Sequence, residues 1–403
     1  MTVVRPILIS ILLACALTVP SRGADAGGRS GWSPGDTIRT VIAVVNADTL
    51  ESTVRGLEAF GTRYFSNANH RSVAGWIRDR MLAAGLRSVE LDSFMQGKYP
   101  QMNVVGTIPG SVPGPEIVVG GHFDTISFDV LRAPGADDNA SGTAAVIEIA
   151  RAISASGYAP CATVRFVAFA AEEVGLRGGW DYANKAKAAK RDIRAMINFD
   201  MIGHRLADQP DRDYYVVWYA GGESLARIDS SVARTYTTLT PVLTTSYRSG
   251  SDSYCFAEQG YRAVFHIERD FSPFYHSPSD LADTLDFVYA AEIARVGLAT
   301  LIRVDQDVRA GGSSVPVSFA LTQNYPNPFN AGTEIRYSVG STGRVVLTVH
   351  DLLGREVERL VDADLAPGSY AVRWAADNLA SGVFFGRLRG GDRTESIRMV
   401  HIQ

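Results

Sequence analysis

A small set of acidic and imidazole side chains stands in this sequence where metal chemistry would need them. His122 and Asp124 lie in Gly121-His122-Phe123-Asp124-Thr125. Asp137 and Asp138 are adjacent in Gly135-Ala136-Asp137-Asp138-Asn139-Ala140-Ser141-Gly142. Glu172-Glu173 and Asp200 each follow an apolar run, and His276 sits in the loop Tyr275-His276-Ser277-Pro278-Ser279-Asp280. His122, Asp137, one of Glu172 and Glu173, Asp200 and His276 form a nitrogen and oxygen donor set without thiolate. Such a set suits zinc, with cobalt or manganese as substitutes. It is too large for one tetrahedral ion with an open position. It suits two ions that share a carboxylate, about 3.5–4 Å apart as in two-metal hydrolases. Such ions would acidify a bound water, and a carboxylate beside them, not itself a ligand, would act as general base.

Each residue also has a plainer reading. A lone histidine is usually packed in a core, and a glutamate pair is usually solvated. An acid before an apolar helix is usually a cap. Capping accounts for Asp138 and Asn139 but less well for Asp137, one residue further out, so Asp137 is the expected shared ligand. Asp124, two residues after His122, suits a carboxylate that holds the second ring nitrogen of a ligand. Asp200 follows the apolar run 195–199, where burial is costly unless the charge is paired or coordinated.

The surrounding pattern predicts what must position these groups. Short apolar runs at 117–119, 164–170, 195–199, 214–219 and 263–267 read as buried strands. Helical periodicity fills 142–153, 176–190, 225–236, 251–259 and 287–304, after earlier helices from Asp48 and over 69–85 and strands at 89–94 and 102–108. Alternating strands and helices predict an α/β fold: a mixed, mostly parallel sheet flanked by helices. His122, Glu172-Glu173 and Asp200 all fall just beyond strand ends, the edge where open α/β sheets bind ligands.

The whole chain has 403 residues, a formal charge of −4 and three cysteines. The charge and the lack of basic runs argue against nucleic-acid binding. Cys15 falls in a leader, and Cys161 and Cys255 read as two separate buried thiols. Residues 1–23 have the layout of a signal peptide: Arg5, a short apolar run, then Ser21, Gly23 and Ala24. Residues 24–44 are an N-terminal extension, 45–308 the catalytic domain, 309–322 a linker and 323–403 a small all-β sandwich of short alternating runs. No permanent membrane span is expected.

The segments 121–125, 135–142, 170–178 and 198–201, with Tyr275-His276-Ser277, resemble the secreted di-zinc aminopeptidases of the bacterial leucyl aminopeptidase type. The resemblance spans roughly residues 45–305 and implies a zinc-exopeptidase fold, two Zn2+ ions and cleavage of the N-terminal bond of a peptide with a free N-terminus. It assigns Asp137 to both metals, Glu173 and His276 to one, His122 and Asp200 to the other. Glu172 becomes the general base and Asp124 the residue that orients His122. It also implies a cis bond at Asp137-Asp138. Met201, Phe265, Ile267 and Phe271 fall near positions that line a hydrophobic side-chain pocket, and Tyr247 is a candidate to polarise the substrate carbonyl.

The tail opens on Asn324-Tyr325-Pro326-Asn327-Pro328-Phe329-Asn330 and resembles the sorting domain of the bacterial type IX secretion system. That implies contact with secretion machinery and a secreted or cell-surface location. The rival readings are a carboxypeptidase, which would need a cation such as Arg248 or Arg269, a glutaminyl cyclase of the same clan, and an inactive surface binding protein.

Overall fold

The structure is a computed structural model and describes residues 34–402, apart from 207–211, 312–318, 340–342, 366–367, 377–378 and 392. The signal segment expected at 1–23, the start of the extension and the middle of the linker lie outside the described residues. The catalytic part runs α1 (Pro34–Ile42), α2 (Ala47–Glu58), α3 (His70–Ala83), β1 (Ser88–Gln96), β2 (Tyr99–Ile108), β3 (Pro115–His122), α4 (Gly142–Ser156), β4 (Thr163–Phe169), α5 (Arg177–Ala188), β5 (Asp192–Phe199) and β6 (Asp213–Trp218). It continues with α6 (Glu223–Tyr236), β7 (Thr240–Thr244), α7 (Ser253–Glu258), β8 (Ala263–Glu268) and α8 (Phe287–Arg309).

These strands make one eight-stranded sheet in the order β1-β2-β4-β3-β5-β8-β6-β7. The centre, β4-β3-β5-β8, is parallel. The β1-β2, β2-β4 and β6-β8 pairings are antiparallel. The sheet is therefore mixed, as its sequence pattern predicts. The pattern does not reveal β7, whose Pro241 lacks an amide for the ladder; it lies at the sheet edge, where proline is tolerated.

The central strands are apolar on both faces because helices cover both. Val118, Val119, Phe166, Ile197 and Phe199 are fully buried, each worth roughly 1.5–3 kcal/mol on removal from water. α1 falls within the expected N-terminal extension, yet its Ile38, Val41 and Ile42 join the same core as α4 and α8. Two glycines let the strand ends converge. A Cβ on Gly121 would lie 2.8 Å from the Phe199 carbonyl oxygen, and one on Gly142 only 2.3 Å from it. The end of β3, the end of β5 and the start of α4 thus meet at one point.

His70 on α3 packs under this edge. Its Nε2 accepts from the Met102 amide at 2.9 Å, and its ring stacks on Phe123. Burial pushes its pKa down to about 4. The neutral form is favoured in the fold, so the unfolded chain binds more protons between pH 6.5 and 4. Stability from this residue is present above pH 6.5 and lost as pH falls toward 4, up to about 3 kcal/mol. In urea denaturation of the metal-free protein, His70→Gln is expected to flatten the loss of stability between pH 7 and pH 4.5.

The C-terminal part holds β9 (Ala320–Leu321), β10 (Gly332–Val339), β11 (Gly343–His350), β12 (Glu356–Leu365), β13 (Gly368–Ala375), β14 (Gly382–Gly390) and β15 (Arg393–His401). They form a three-stranded sheet, β13-β10-β9, and a four-stranded sheet, β12-β11-β14-β15. Both contribute to one core built on Trp374, Ile335, Leu347, Leu388 and Met399. The buried Trp374 indole donates to Glu358 at 2.9 Å. Cys161 and Cys255 are buried and unpaired.

Candidate metal centre

His122 ends β3, with its ring almost wholly buried. Its Nδ1 lies 3.1 Å from the Asp124 carbonyl oxygen and 3.7 Å from the Asp124 carboxylate. Both neighbours can only accept, so Nδ1 carries the proton and Nε2 faces the cluster. Nε2 lies 3.2 Å from Asp200 Oδ1, 3.4 Å from Asp138 Oδ1 and 3.8 Å from Glu172 Oε2. Asp124 does steady His122, but mainly through its backbone. Its carboxylate accepts instead from the amides of Glu172 at 2.9 Å and Glu173 at 3.3 Å, which anchors the loop after β4.

On the far side, His276 Nε2 lies 3.0 Å from Asp138 Oδ2 and 3.2 Å from Glu173 Oε2. Asp138 thus stands between the two histidines, one oxygen toward each. This corrects the expectation for Asp137. Asp137 turns away: its Oδ1 accepts from the Gly203 amide at 2.8 Å, and it faces Glu268. Burial raises both Asp137 and Glu268 above the usual carboxylate range, which fits a proton held between them.

The capping argument failed because Asn139 does the capping. Its Oδ1 accepts from the Gly142 amide at 2.8 Å while its Nδ2 donates to the Phe199 carbonyl at 2.9 Å. Asp138 is thereby free to face the cluster. The backbone at Asp138 and Asn139 is non-helical, and the cis peptide is Asp138-Asn139 rather than Asp137-Asp138.

The cluster is rich in buried anions. Two groups of donors, His122 with Glu172 and Asp200, and His122 with Asp138 and Glu173, each lie within 4.8 Å of one another. Burial raises Glu172 well above its ordinary pKa and Glu173 to about 8. For Asp138, burial pushes up, but hydrogen bonds to His122 and His276 outweigh it and leave about 2. For His276, burial pushes down, but Asp138 and Glu173 carry it to about 10. Buried carboxylates this close are costly unless cations neutralise them. The donor set therefore fits bound metal.

Sequence reading missed three residues here. Asp252 is fully buried before α7, and neither carboxylate oxygen has a hydrogen-bond partner. It faces the charges of His122, Asp124 and Asp200. Arg63 and Asp280 hold the turn that carries Asp138. Asp252 and Asp280 follow serines in polar loops, and no apolar run marks their burial.

The expected substrate pocket is split. Met201, Phe265 and Ile267 are buried in one small cluster with Val217. Tyr247 and Phe271 are exposed, their rings 5.3 Å apart. Tyr275 joins this strip, and its ring stacks on His276 at 3.7 Å. Arg248 donates to the Trp218 carbonyl and lies over the Trp218 ring. Arg269 is paired with Asp213.

Residues 103–301 match peptidase family M28. That segment is similar to M28 peptidases. It contains the histidine that ends β3, both aspartates of the turn, the glutamate pair, Asp200 and His276. A probable leucine aminopeptidase of Arthroderma otae is 28% identical over 275 residues, covering 65% of this chain and 73% of that protein. A probable zinc metalloprotease of Pyrenophora tritici-repentis is 28% identical over 333 residues, covering 66% and 68%. The structure of the LapA aminopeptidase of Legionella pneumophila aligns with a TM-score of 0.60 at 22% identity, covering 67% of this chain and 75% of that one. A glutaminyl cyclase of Bacteroides thetaiotaomicron aligns at 0.54 and 17% identity, covering 64% and 98%. These structural likenesses concern the fold alone. The family match and the relatives together mark the chain as peptidase-like and zinc-dependent in type.

Proposed function

We propose that the chain is an exported aminopeptidase that works with two zinc ions. The observation that supports this most is Asp138, held between His122 and His276 with one oxygen toward each. Asp138 would take the shared place, with Asp200 and His122 available to hold one ion and Glu173 and His276 the other. Bound zinc would supply an acidified water and polarise the scissile carbonyl. Glu172 is the general base: its carboxylate lies 3.8 Å from His122 Nε2, beyond hydrogen-bond reach, and is free to take a proton and return it to the leaving amine.

Arg248 and Arg269 are both engaged elsewhere, which argues against a carboxypeptidase. The cluster opens toward solvent at His276, whose side chain is 35% exposed while that of His122 is 1% exposed. Tyr275, Phe271 and Tyr247 line that approach and favour an apolar N-terminal side chain. The C-terminal sandwich, opening on Tyr325-Pro326-Asn327-Pro328-Phe329, serves as a type IX sorting domain and directs the protein to the cell surface or medium. Among the described residues no helix is long and apolar enough to cross a membrane.

The test is a zinc count paired with an assay on leucyl-p-nitroanilide. Two zinc ions per chain and activity abolished by chelator and restored by zinc are expected, with no cleavage of the N-acetylated substrate. Cleavage of N-blocked peptides from a free C-terminus would overturn the aminopeptidase reading. Cyclisation of N-terminal glutamine without hydrolysis would point to a cyclase instead.

A further inference from the structure

The turn before Asp138 is gripped from both sides by opposite charges. Arg63 is 2% exposed, yet its guanidinium meets only backbone carbonyls. Nη1 donates to Pro134 O at 2.6 Å and Leu57 O at 3.0 Å, Nη2 to Gly135 O at 2.8 Å and Nε to Phe123 O at 2.7 Å. The next three amides point the other way. Ala136 N donates to Asp280 O at 3.1 Å, Asp137 N to Asp280 Oδ1 at 2.8 Å and Asp138 N to Asp280 Oδ2 at 3.1 Å. A cation thus takes the carbonyls of residues 134–135, an anion takes the amides of residues 137 and 138, and the Asp280 main-chain carbonyl takes that of Ala136. Charge-assisted bonds of this kind are roughly twice as strong as neutral ones.

Asp280 also belongs to the loop that carries His276. Its amide donates to Ser277 O at 3.2 Å, and Ser277 N donates to Phe274 O at 3.0 Å. The His276 backbone is tied down a second time, since Phe128 N donates to His276 O at 3.2 Å. His122 is different. It ends a central strand, and Asp200 directly follows another, so the sheet places both. His276 comes from a loop and depends on Asp280 for its distance to Asp138.

We propose that Asp280 and Arg63 are positioning residues that set the spacing of Asp138 and His276, so that one end of the metal centre is built by the sheet and the other by this clamp. The consequence for metal rests on the two-zinc reading; the clamp itself does not. Loss of the Asp280 charge therefore acts unequally on the two ions. Asp138 would serve both ions, so both loosen, but the ion held through Glu173 and His276 loosens more, because the clamp also places His276.

The test uses the full-length protein and Asp280→Asn, with Asp280→Glu as a second variant that keeps the charge and shifts it by one methylene. In the metal-free protein, hydrogen exchange at the amides of residues 137 and 138 is expected to speed up by about tenfold or more in Asp280→Asn, with central-strand protection unchanged. In zinc competition against a chromophoric chelator, one ion is expected to bind about 10–100-fold more weakly than in the parent and the other to weaken several-fold less. Arg63→Lys, which keeps charge but not the fork, should shift both readouts the same way. Unchanged exchange at residues 137 and 138 would overturn the clamp. So would equal weakening of both ions, which marks a merely structural role. A parent protein that binds fewer than two zinc ions would overturn the two-zinc reading, leaving the exchange result to judge the clamp. If Asp280→Asn does not fold, Asp280→Glu must show the same asymmetry or the clamp is rejected.

Discussion

Glu172→Gln is expected to lower kcat on leucyl-p-nitroanilide by about 10²–10⁴-fold, the usual contribution of a general base, while zinc content and KM stay near the parent values. Glutamine fills the same volume and can still accept a hydrogen bond, but it cannot take up a proton at working pH. The residue is buried and its amide is tied to Asp124 at 2.9 Å, so the side chain has little freedom to reorganise. The split between kcat and KM is the informative readout. An interaction made only in the transition state lowers kcat and kcat/KM together. If Glu172→Gln keeps full activity, Glu172 is not the base. If it loses zinc, Glu172 is a ligand, and Glu173 must be reconsidered for the proton transfer.

The second expected result is a contrast between adjacent residues. Asp138→Asn removes the one carboxylate that, among the described residues, lies between both histidines. Several kcal/mol of charge stabilisation is at stake, so activity should fall by more than about 10³-fold, with zinc retained only weakly. Asp137→Asn should keep both zinc ions and stay within about tenfold of parent activity. Its Oδ1 can still accept from the Gly203 amide, and its new NH2 can donate to Glu268, replacing the proton held between two acids. Metal content by elemental analysis and kcat/KM on one substrate decide the matter. A reversed order, with Asp137→Asn the more damaging, would return the shared position to Asp137.

These two neighbours also show where sequence reading works and where it stops. The periodicity of 117–119, 164–170 and 195–199 was enough for the central strands, because buried parallel strands must be apolar on both faces. Acids and a histidine just past such runs pointed to one sheet edge, and the structure brings His122, Glu172, Glu173 and Asp200 together there. Strand ends are rigid, so a position in sequence translates directly into a position in space.

What depended on the turn could not be read the same way. Whether Asp137 or Asp138 faces the histidines is set by a non-helical backbone at residues 138–139 and by Asn139, which caps α4 and bonds to the Phe199 carbonyl across 60 residues of chain. Arg63 and Asp280 grip the turn from positions 71 residues before Pro134 and 143 residues after Asp137. No local pattern marks such partners, because their bonds go to backbone groups of distant segments and not to side chains whose types could be recognised. The chain by itself determined the fold class, the donor types and the edge where they gather. Only the tertiary structure decided which aspartate turns inward, because one residue's shift in a turn reverses a side chain's direction while leaving composition and spacing unchanged.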